Sequence, residues 1–214
     1  MDEAVHDFEQ SAAGLEQLAL LLRANQWRQA EDRGLTATQL TILSLLRRRG
    51  SLRVQQVARQ LGSSQPTASD AIASLVEKGL VSKRSDPGDR RAVLVAPSER
   101  GAAVIEAHAT VPAALIDALE TLDGRERAGF RRTLIKLVRA LQEAGAIAPQ
   151  RLCVTCRYFE PFAHPDAASP HHCGFVDAAF GDAALRVDCG DHVEVEETGR
   201  SALWRRFDPP PSAQ

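Results

Sequence analysis

All four cysteines of this 214-residue chain lie beyond residue 150, as Cys153, Cys156, Cys173 and Cys189. Two residues separate the first pair, sixteen the middle pair and fifteen the last. A Cys-x-x-Cys step offers two thiolates from one tight turn with the bite that a tetrahedral metal needs, and two distant cysteines can complete a Cys₄ set. Zinc is the expected occupant, structural or regulatory. An iron–sulfur cluster on the same four residues is the alternative, and free or redox-active thiols are the third reading, because thiolates suit both metals. Only the first pair has close spacing, so an ordinary zinc ribbon with two such pairs is not expected. Structural disulfides do not suit a reducing compartment. Four histidines, His164, His171, His172 and His192, share this segment. Four cysteines already satisfy a tetrahedral ion, so these imidazoles are expected outside the ligand set. His6 and His108 lie far away in sequence and read as surface or interface residues.

A different chemistry is written between residues 64 and 91. Ser64, Gln65, Thr67, Ser69, Asp70 and Ser74 are spaced to share the solvent side of one helix. They are short hydrogen-bonding side chains, suited to base edges and phosphates in a DNA major groove. Arg84 follows on a strand, and Asp89, Arg90 and Arg91 stand at the tip of a hairpin. An arginine on a narrow β ribbon can reach a minor groove, where phosphate potential is concentrated.

Charge distribution agrees with that division. The whole chain carries a formal charge of −2, which on its face argues against a nucleic-acid partner. Yet residues 33–100 hold twelve Lys/Arg against five Asp/Glu, a local +7, whereas residues 151–214 hold six against ten, a local −4. An anionic partner is therefore expected for the first segment alone. The Arg47–Arg49 run, taken singly, reads as a solvated helix end, and Arg53 and Arg59 are similarly ambiguous.

These residues need elements to position them. Val5, Phe8, Ala12, Leu15, Ala19 and Leu22 recur at intervals of three and four, an apolar seam on a helix over roughly 4–30 that packs along another helix. Thr36 and Gln39 form a capping box for a second helix, with Leu35 and Leu40 as a hydrophobic staple and Gly50 past its end. A short third helix carries Val54, Val57, Ala58 and Leu61. A fourth, opened by Ser64 and Pro66, is pinned by Ala68, Ile72, Leu75 and Val76. Two strands, Val81–Arg84 and Ala92–Ala96, flank the turn chemistry of Ser85-Asp86-Pro87-Gly88-Asp89. A helix from about Ser98 to Leu122, kinked at Pro112, follows. The next, capped by Asp123 and Glu126, is expected to bury Phe130, Leu134, Leu137, Val138 and Leu141.

Three short helices and a hairpin make the winged helix-turn-helix pattern, whose recognition helix enters a major groove. The segments LTATQLTILSLLRRRG, LRVQQVARQLGSSQPTASDAIASLVEKGLV and KRSDPGDRRAVLVAPSERG resemble the MarR family of bacterial transcriptional regulators over residues 5–145. Asp89-Arg90-Arg91 matches that family's Asp-x-Arg element. The resemblance implies that the arginine enters a minor groove and the aspartate holds it in place. It also implies a homodimer built from the first helix and the two between 98 and 143, reading a palindrome in double-stranded DNA, with a small-molecule inducer as a possible further partner. Ala96-Pro97-Ser98 departs from the Leu-Thr common in relatives, so the start of the following helix is expected to differ.

The expected fold is mainly α with a small β hairpin. Residues 1–147 form a winged-helix DNA-binding and dimerisation domain, 148–207 a cysteine-rich metal-binding module, and 208–214 a disordered tail. About 60 residues bury little core, so a metal staple is physically sensible there. Tyr158, Phe159, Phe162, Phe175 and Phe180 are expected to form a miniature core around it, with Trp204 and Phe207 docking the tail. No apolar run reaches membrane-spanning length and the acidic N-terminus is unlike a secretory signal, so the protein is expected in the cytoplasm. An enzyme is not expected. No nucleophile–base pair is evident, and no glutamate stands beside the cysteines as a general base. The sequence reads as a DNA-binding regulator, probed either by a small ligand or by the metal or redox state of its cysteines. A zinc-shaped protein-interaction module is the remaining alternative.

Overall fold

The computed structural model describes residues 2–106 and 111–209, with backbone alone at residues 2–5 and at Arg90. His108 and residues 210–214 of the expected tail lie outside the described residues. The chain divides into two compact units, Met1–Ala118 and Leu119–Gln214.

The first unit opens with helix α1, Asp2–Glu31, close to its expected extent. Its seam residues Phe8, Leu15 and Leu22 are exposed, as is Trp27. Helix α2, Ala37–Arg49, begins at the expected capping box: Gln39 N donates to Thr36 Oγ1 at 3.2 Å and Thr36 N to Gln39 Oε1 at 3.1 Å. Both staple residues, Leu35 and Leu40, are buried. A two-residue strand β1, Leu52–Arg53, then leads into helix α3, Val54–Leu61, and helix α4, Gln65–Glu77. Strands β2, Val81–Asp86, and β3, Asp89–Pro97, form the hairpin. The sheet order is β1-β3-β2, antiparallel throughout, with Leu52 opposite Val95 and Arg84 opposite Leu94. The strands run further than the sequence suggests, so that only Pro87 and Gly88 turn the chain.

One core joins these pieces. Leu40, Leu43 and Leu46 of α2 meet Val57 of α3, Ile72 and Leu75 of α4, and Val95 of β3. Each such side chain, fully buried, stabilises the fold by about 1.5–3 kcal/mol relative to exposure. Val76, expected among them, is exposed instead. Helix α5, Glu99–Glu106, follows β3 directly. Ser98 caps it despite the atypical Ala96-Pro97 lead: Gly101 N donates to Ser98 Oγ at 3.1 Å, and Ser98 Oγ donates to Gly79 O at 2.7 Å. A Cβ at Gly101 would stand 2.0 Å from the Leu80 carbonyl oxygen, so only glycine lets this helix approach so closely. Helix α6, Ala113–Glu120, is a separate element rather than the distal half of one kinked helix. Pro112 lies before its first turn, where the missing N–H costs nothing.

The second unit is built on helix α7, Gly124–Glu143, which starts at the expected Asp123/Glu126 capping box. Strands β4 (Phe159–Glu160), β5 (His171–Cys173) and β6 (Ala178–Phe180) form an antiparallel sheet in that order. Helix α8, Glu197–Phe207, closes the unit. Its core joins Ile135 of α7 to Leu152, Val154, Phe159, Leu185 and Phe207. The boundary expected at residue 147 thus falls inside this unit, because α7 supplies the apolar face on which the cysteine segment folds. That face is the expected one only in part, since Val138 packs against this core as expected. Within the chain Ile135 is buried, while Phe130, Leu137 and Leu141 are exposed.

Around α7 the aromatic residues are ordered by charge. Arg132 lies over the Phe207 ring at 4.1 Å and Arg139 over Trp204 at 3.9 Å, so both expected docking aromatics are engaged. Asp208 accepts from Lys136 Nζ at 2.9 Å, which ties down the first residue of the segment expected to be disordered.

Candidate nucleic-acid interface

Helix α4 owes its start to Ser64, whose Oγ accepts from Thr67 N at 3.2 Å and shares a 2.8 Å hydrogen bond with Thr67 Oγ1. Pro66 in the first turn adds a fixed φ. Ala68, Ile72 and Leu75 bury the opposite face. Ser64, Gln65, Thr67 and Asp70 consequently stand exposed together at the N-terminal half of α4, as expected. Ser69 is half-buried.

Ser74 departs from the expected solvent-facing position. It is half-buried, and its Oγ accepts from Gln39 Nε2 at 2.9 Å. Gln39 is itself buried, and its Oε1 also accepts from Lys78 Nζ at 3.1 Å. Ser74 is therefore a packing partner between α2 and α4, not a group free for a base edge. Arg47 likewise turns inward: its Nη1 donates to the Ile105 carbonyl at 3.2 Å.

The hairpin tip is held by an acidic clamp. Asp86 Oδ1 accepts from Gly88 N at 2.9 Å, closing the turn. Arg53, on β1, donates from Nε to Asp86 Oδ2 at 2.7 Å, and its Nη1 lies 3.7 Å from Asp89 Oδ2. The Gly88 N–H, and then the Arg53 guanidinium, hold the Asp86 carboxyl below its ordinary value. Asp89 Oδ1 accepts from Arg91 N at 3.1 Å. The aspartate thus fixes the arginine through its backbone, leaving the exposed Arg91 side chain to reach outward. Arg84 is exposed and donates from Nη2 to Ser51 Oγ at 3.0 Å. The Arg90 side chain lies outside the described residues.

Arg53, which sequence reasoning left ambiguous, is the residue that joins the hairpin tip to β1. Its partners lie 33 and 36 positions away, and only the register of β1 on β3 brings them together. The one available signal was an arginine three positions beyond the Gly50 helix stop, preceding a short amphipathic helix.

All four cysteines border one cavity of about 150 Å³ in the second unit. Cys153 and Cys156 flank a 3-10 turn, Cys173 ends β5, and Cys189 follows in a loop tied back by its N–H to Arg151 O at 3.0 Å. Burial pushes the Cys153 thiol up to about 11; the Arg186 N–H opposes this, and the three neighbouring cysteines add to it. That N–H donates to Cys153 Sγ at 3.2 Å, and Arg186 Nη1 lies 3.8 Å from Cys189 Sγ. The aromatic residues divide: Tyr158, Phe159, Phe175 and Phe180 line the cavity, whereas Phe162 stands apart and exposed.

The histidines have other partners. His171 is fully buried, accepts from Phe162 N at its Nδ1 (3.3 Å), and donates from Nε2 to Asp182 Oδ1 at 2.9 Å. His172 Nδ1 lies 3.2 Å from His164 Nε2, and its Nε2 lies 3.3 Å from Asp177. His192 Nε2 bonds Thr155 Oγ1 at 2.9 Å.

A three-helix core, a three-stranded wing and a polar, N-capped α4 define a winged helix-turn-helix DNA-binding protein. A profile of the MarR family matches residues 35–93. The chain is similar to the HTH-type transcriptional repressor NicR of Pseudomonas putida, with 30% identity over 118 residues, 55% of this chain and 75% of that protein. The chain belongs to the MarR family; it is a transcription regulator, not an enzyme. Its fold is shared with the MarR family transcription regulator SP03579, at TM-score 0.54 and 19% identity over 68% of this chain and 97% of the other. It is shared too with a mutant MarR from E. coli crystallised with operator DNA, at TM-score 0.50 and 22% identity over 61% and 95%. Among the described residues no helix is long and apolar enough to cross a membrane.

Proposed function

We propose that this chain is a cytoplasmic repressor that binds a palindromic operator as a homodimer, with α4 in the major groove and the wing in the minor groove. The clamp at the hairpin carries this reading: Asp89 secures the backbone of Arg91 while Arg53 ties Asp86 and Asp89 to the helical core. A rigid ribbon with an outward cation is what insertion between two phosphate walls requires. The polar residues contributing to the major-groove face are Ser64, Gln65, Thr67 and Asp70.

Dimerisation is supported by two apolar seams exposed within the chain. One is Phe8, Leu15 and Leu22 on α1; the other is Phe130, Leu137 and Leu141 on α7. Covering them with a second copy removes from water the surface that a monomer would leave wet. Because α7 shares its core with the cysteine segment, a change there would reach the dimer helix directly. This favours modulation through the cysteines. A groove bordered by Leu22, Arg23, Gln26, Thr41, Ser44 and Arg48 offers room for a small inducer.

Selection of duplexes from a random library by the purified full-length protein tests the reading. It should recover a palindrome bound by two copies. Recovery of no common sequence would overturn sequence-specific operator binding.

A further inference from the structure

The four cysteines are too widely arranged for the zinc ion that their spacing suggests. A tetrahedral Cys₄ zinc site has bonds of about 2.3 Å, which places its sulfurs about 3.8 Å apart around a single point. Among the described residues, no group of three or more His, Cys, Asp or Glu side chains has an arrangement able to hold one ion. Yet all four cysteines border the same cavity. They encircle a space rather than converge on a point.

The size of that space is informative. It measures about 150 Å³. One ion drawn between four thiolates needs less than a water's share of about 30 Å³. Eight close-packed iron and sulfur atoms fill a space on the order of 100–200 Å³.

The walls match the same body. Tyr158, Phe159 and Phe180 back the sulfurs with apolar surface, and Phe175 and Val176, both exposed, form its rim. The Arg186 N–H on Cys153 Sγ, and its guanidinium beside Cys189 Sγ, are the kind of donors that stabilise thiolate ligands of a cluster. The cysteines come from separate positions of the fold: the two ends of a 3-10 turn, the end of a strand, and a later loop. A cubane takes one cysteine at each of its iron corners, so it fits ligands that surround it. The histidines are engaged elsewhere, which leaves a ligand set of cysteine alone.

We propose that Cys153, Cys156, Cys173 and Cys189 bind a [4Fe–4S] cluster in this cavity, one thiolate to each iron, and that the site is not a zinc site. The proposal is independent of the DNA-binding reading, since every residue it uses lies in the second unit. Each cysteine gives up its proton on ligation, and the core is assembled from two ferrous ions, two ferric ions and four sulfides, which gives a core of charge +2 with no further oxidant.

The test is metal and sulfide analysis of the full-length wild-type chain. It should be purified without oxygen, then incubated with equal amounts of ferrous and ferric iron and with sulfide, with a parallel sample given zinc. The expected result is a brown protein with broad visible charge-transfer absorption and about four irons and about four acid-labile sulfides per chain. Zinc should fail to displace them. Cys173→Ser and Cys189→Ser should each lose most of the colour. One zinc per chain that blocks iron uptake would overturn the proposal. So would iron without sulfide, about two irons with two sulfides, or no metal in the wild-type chain. The wild-type stoichiometry decides even if a variant fails to fold.

Discussion

Arg53 Nε stands 2.7 Å from Asp86 Oδ2 and joins the root of the wing to its tip. The pair links β1 to the last residue of β2, and the same guanidinium reaches toward Asp89, whose other oxygen holds the Arg91 amide. The exposed Arg91 is therefore positioned through its backbone by the residues of this clamp rather than by its own side chain.

If Arg53 acts by clamping, breaking the clamp from either side should weaken operator binding. Asp86→Asn removes a negative charge, which by electrostatics alone would strengthen binding to DNA. The clamp predicts the reverse, a loss of about tenfold, or about 1.4 kcal/mol. Arg53→Ala should lose a similar amount with little change in the salt dependence, because no phosphate contact disappears. Fluorescence anisotropy over a salt series separates the cases. Tighter binding by Asp86→Asn would show that the clamp has no positioning role.

Gln39 connects two helices through a buried amide that serves Thr36, Ser74 and Lys78. Gln39→Ala would leave buried polar groups unpaired, at a cost of about 1–3 kcal/mol. Ser74→Ala should cost less, about 1 kcal/mol, and leave the preferred operator sequence unchanged. Urea unfolding measures the first effect and duplex selection the second. A changed base preference in Ser74→Ala would return that residue to the DNA face.

What the sequence disclosed was mostly local. The Thr36/Gln39 box, the Ser64 cap and the turn at Pro87-Gly88 involve residues within a few positions of one another, and each was legible. The clamp was not, because Arg53 and Asp86 meet only through strand register and β1 is too short to show a pattern. Ser74 was misplaced because a small polar residue on a helix carries no sign of a buried amide on another helix. Helix α7 has apolar residues on two sides. Periodicity found Phe130, Leu137 and Leu141, but could not tell that Ile135 would serve the cysteine segment. The spacing of the four cysteines did not show that they border one cavity, which is a matter of tertiary geometry.

The second unit has its own electrostatic anchor. Burial would raise the Asp182 carboxyl, but the His171 hydrogen bond and the Arg132 guanidinium outweigh it and hold the group below its ordinary value. A depressed carboxylate contributes stability that is present above its unfolded value and lost as pH falls through its folded one. Unfolding of this unit should therefore become easier below about pH 4. Asp182→Asn should cost about 1 kcal/mol at neutral pH, since solvent screens a carboxylate this exposed, and flatten that acid limb. A Trp27→Phe background leaves Trp204 as the reporter. An unchanged acid limb would show that Asp182 is not the group responsible.

The central claim is that Arg91 carries the minor-groove contact of a winged DNA reader. Titration of the selected palindromic duplex with wild type and with Arg91→Ala, across a range of salt concentrations, tests it most directly. The variant should bind about 10- to 100-fold more weakly, with its log–log salt slope smaller by about one and its melting curve unchanged. Equal affinity and equal slope for the two proteins would contradict the account.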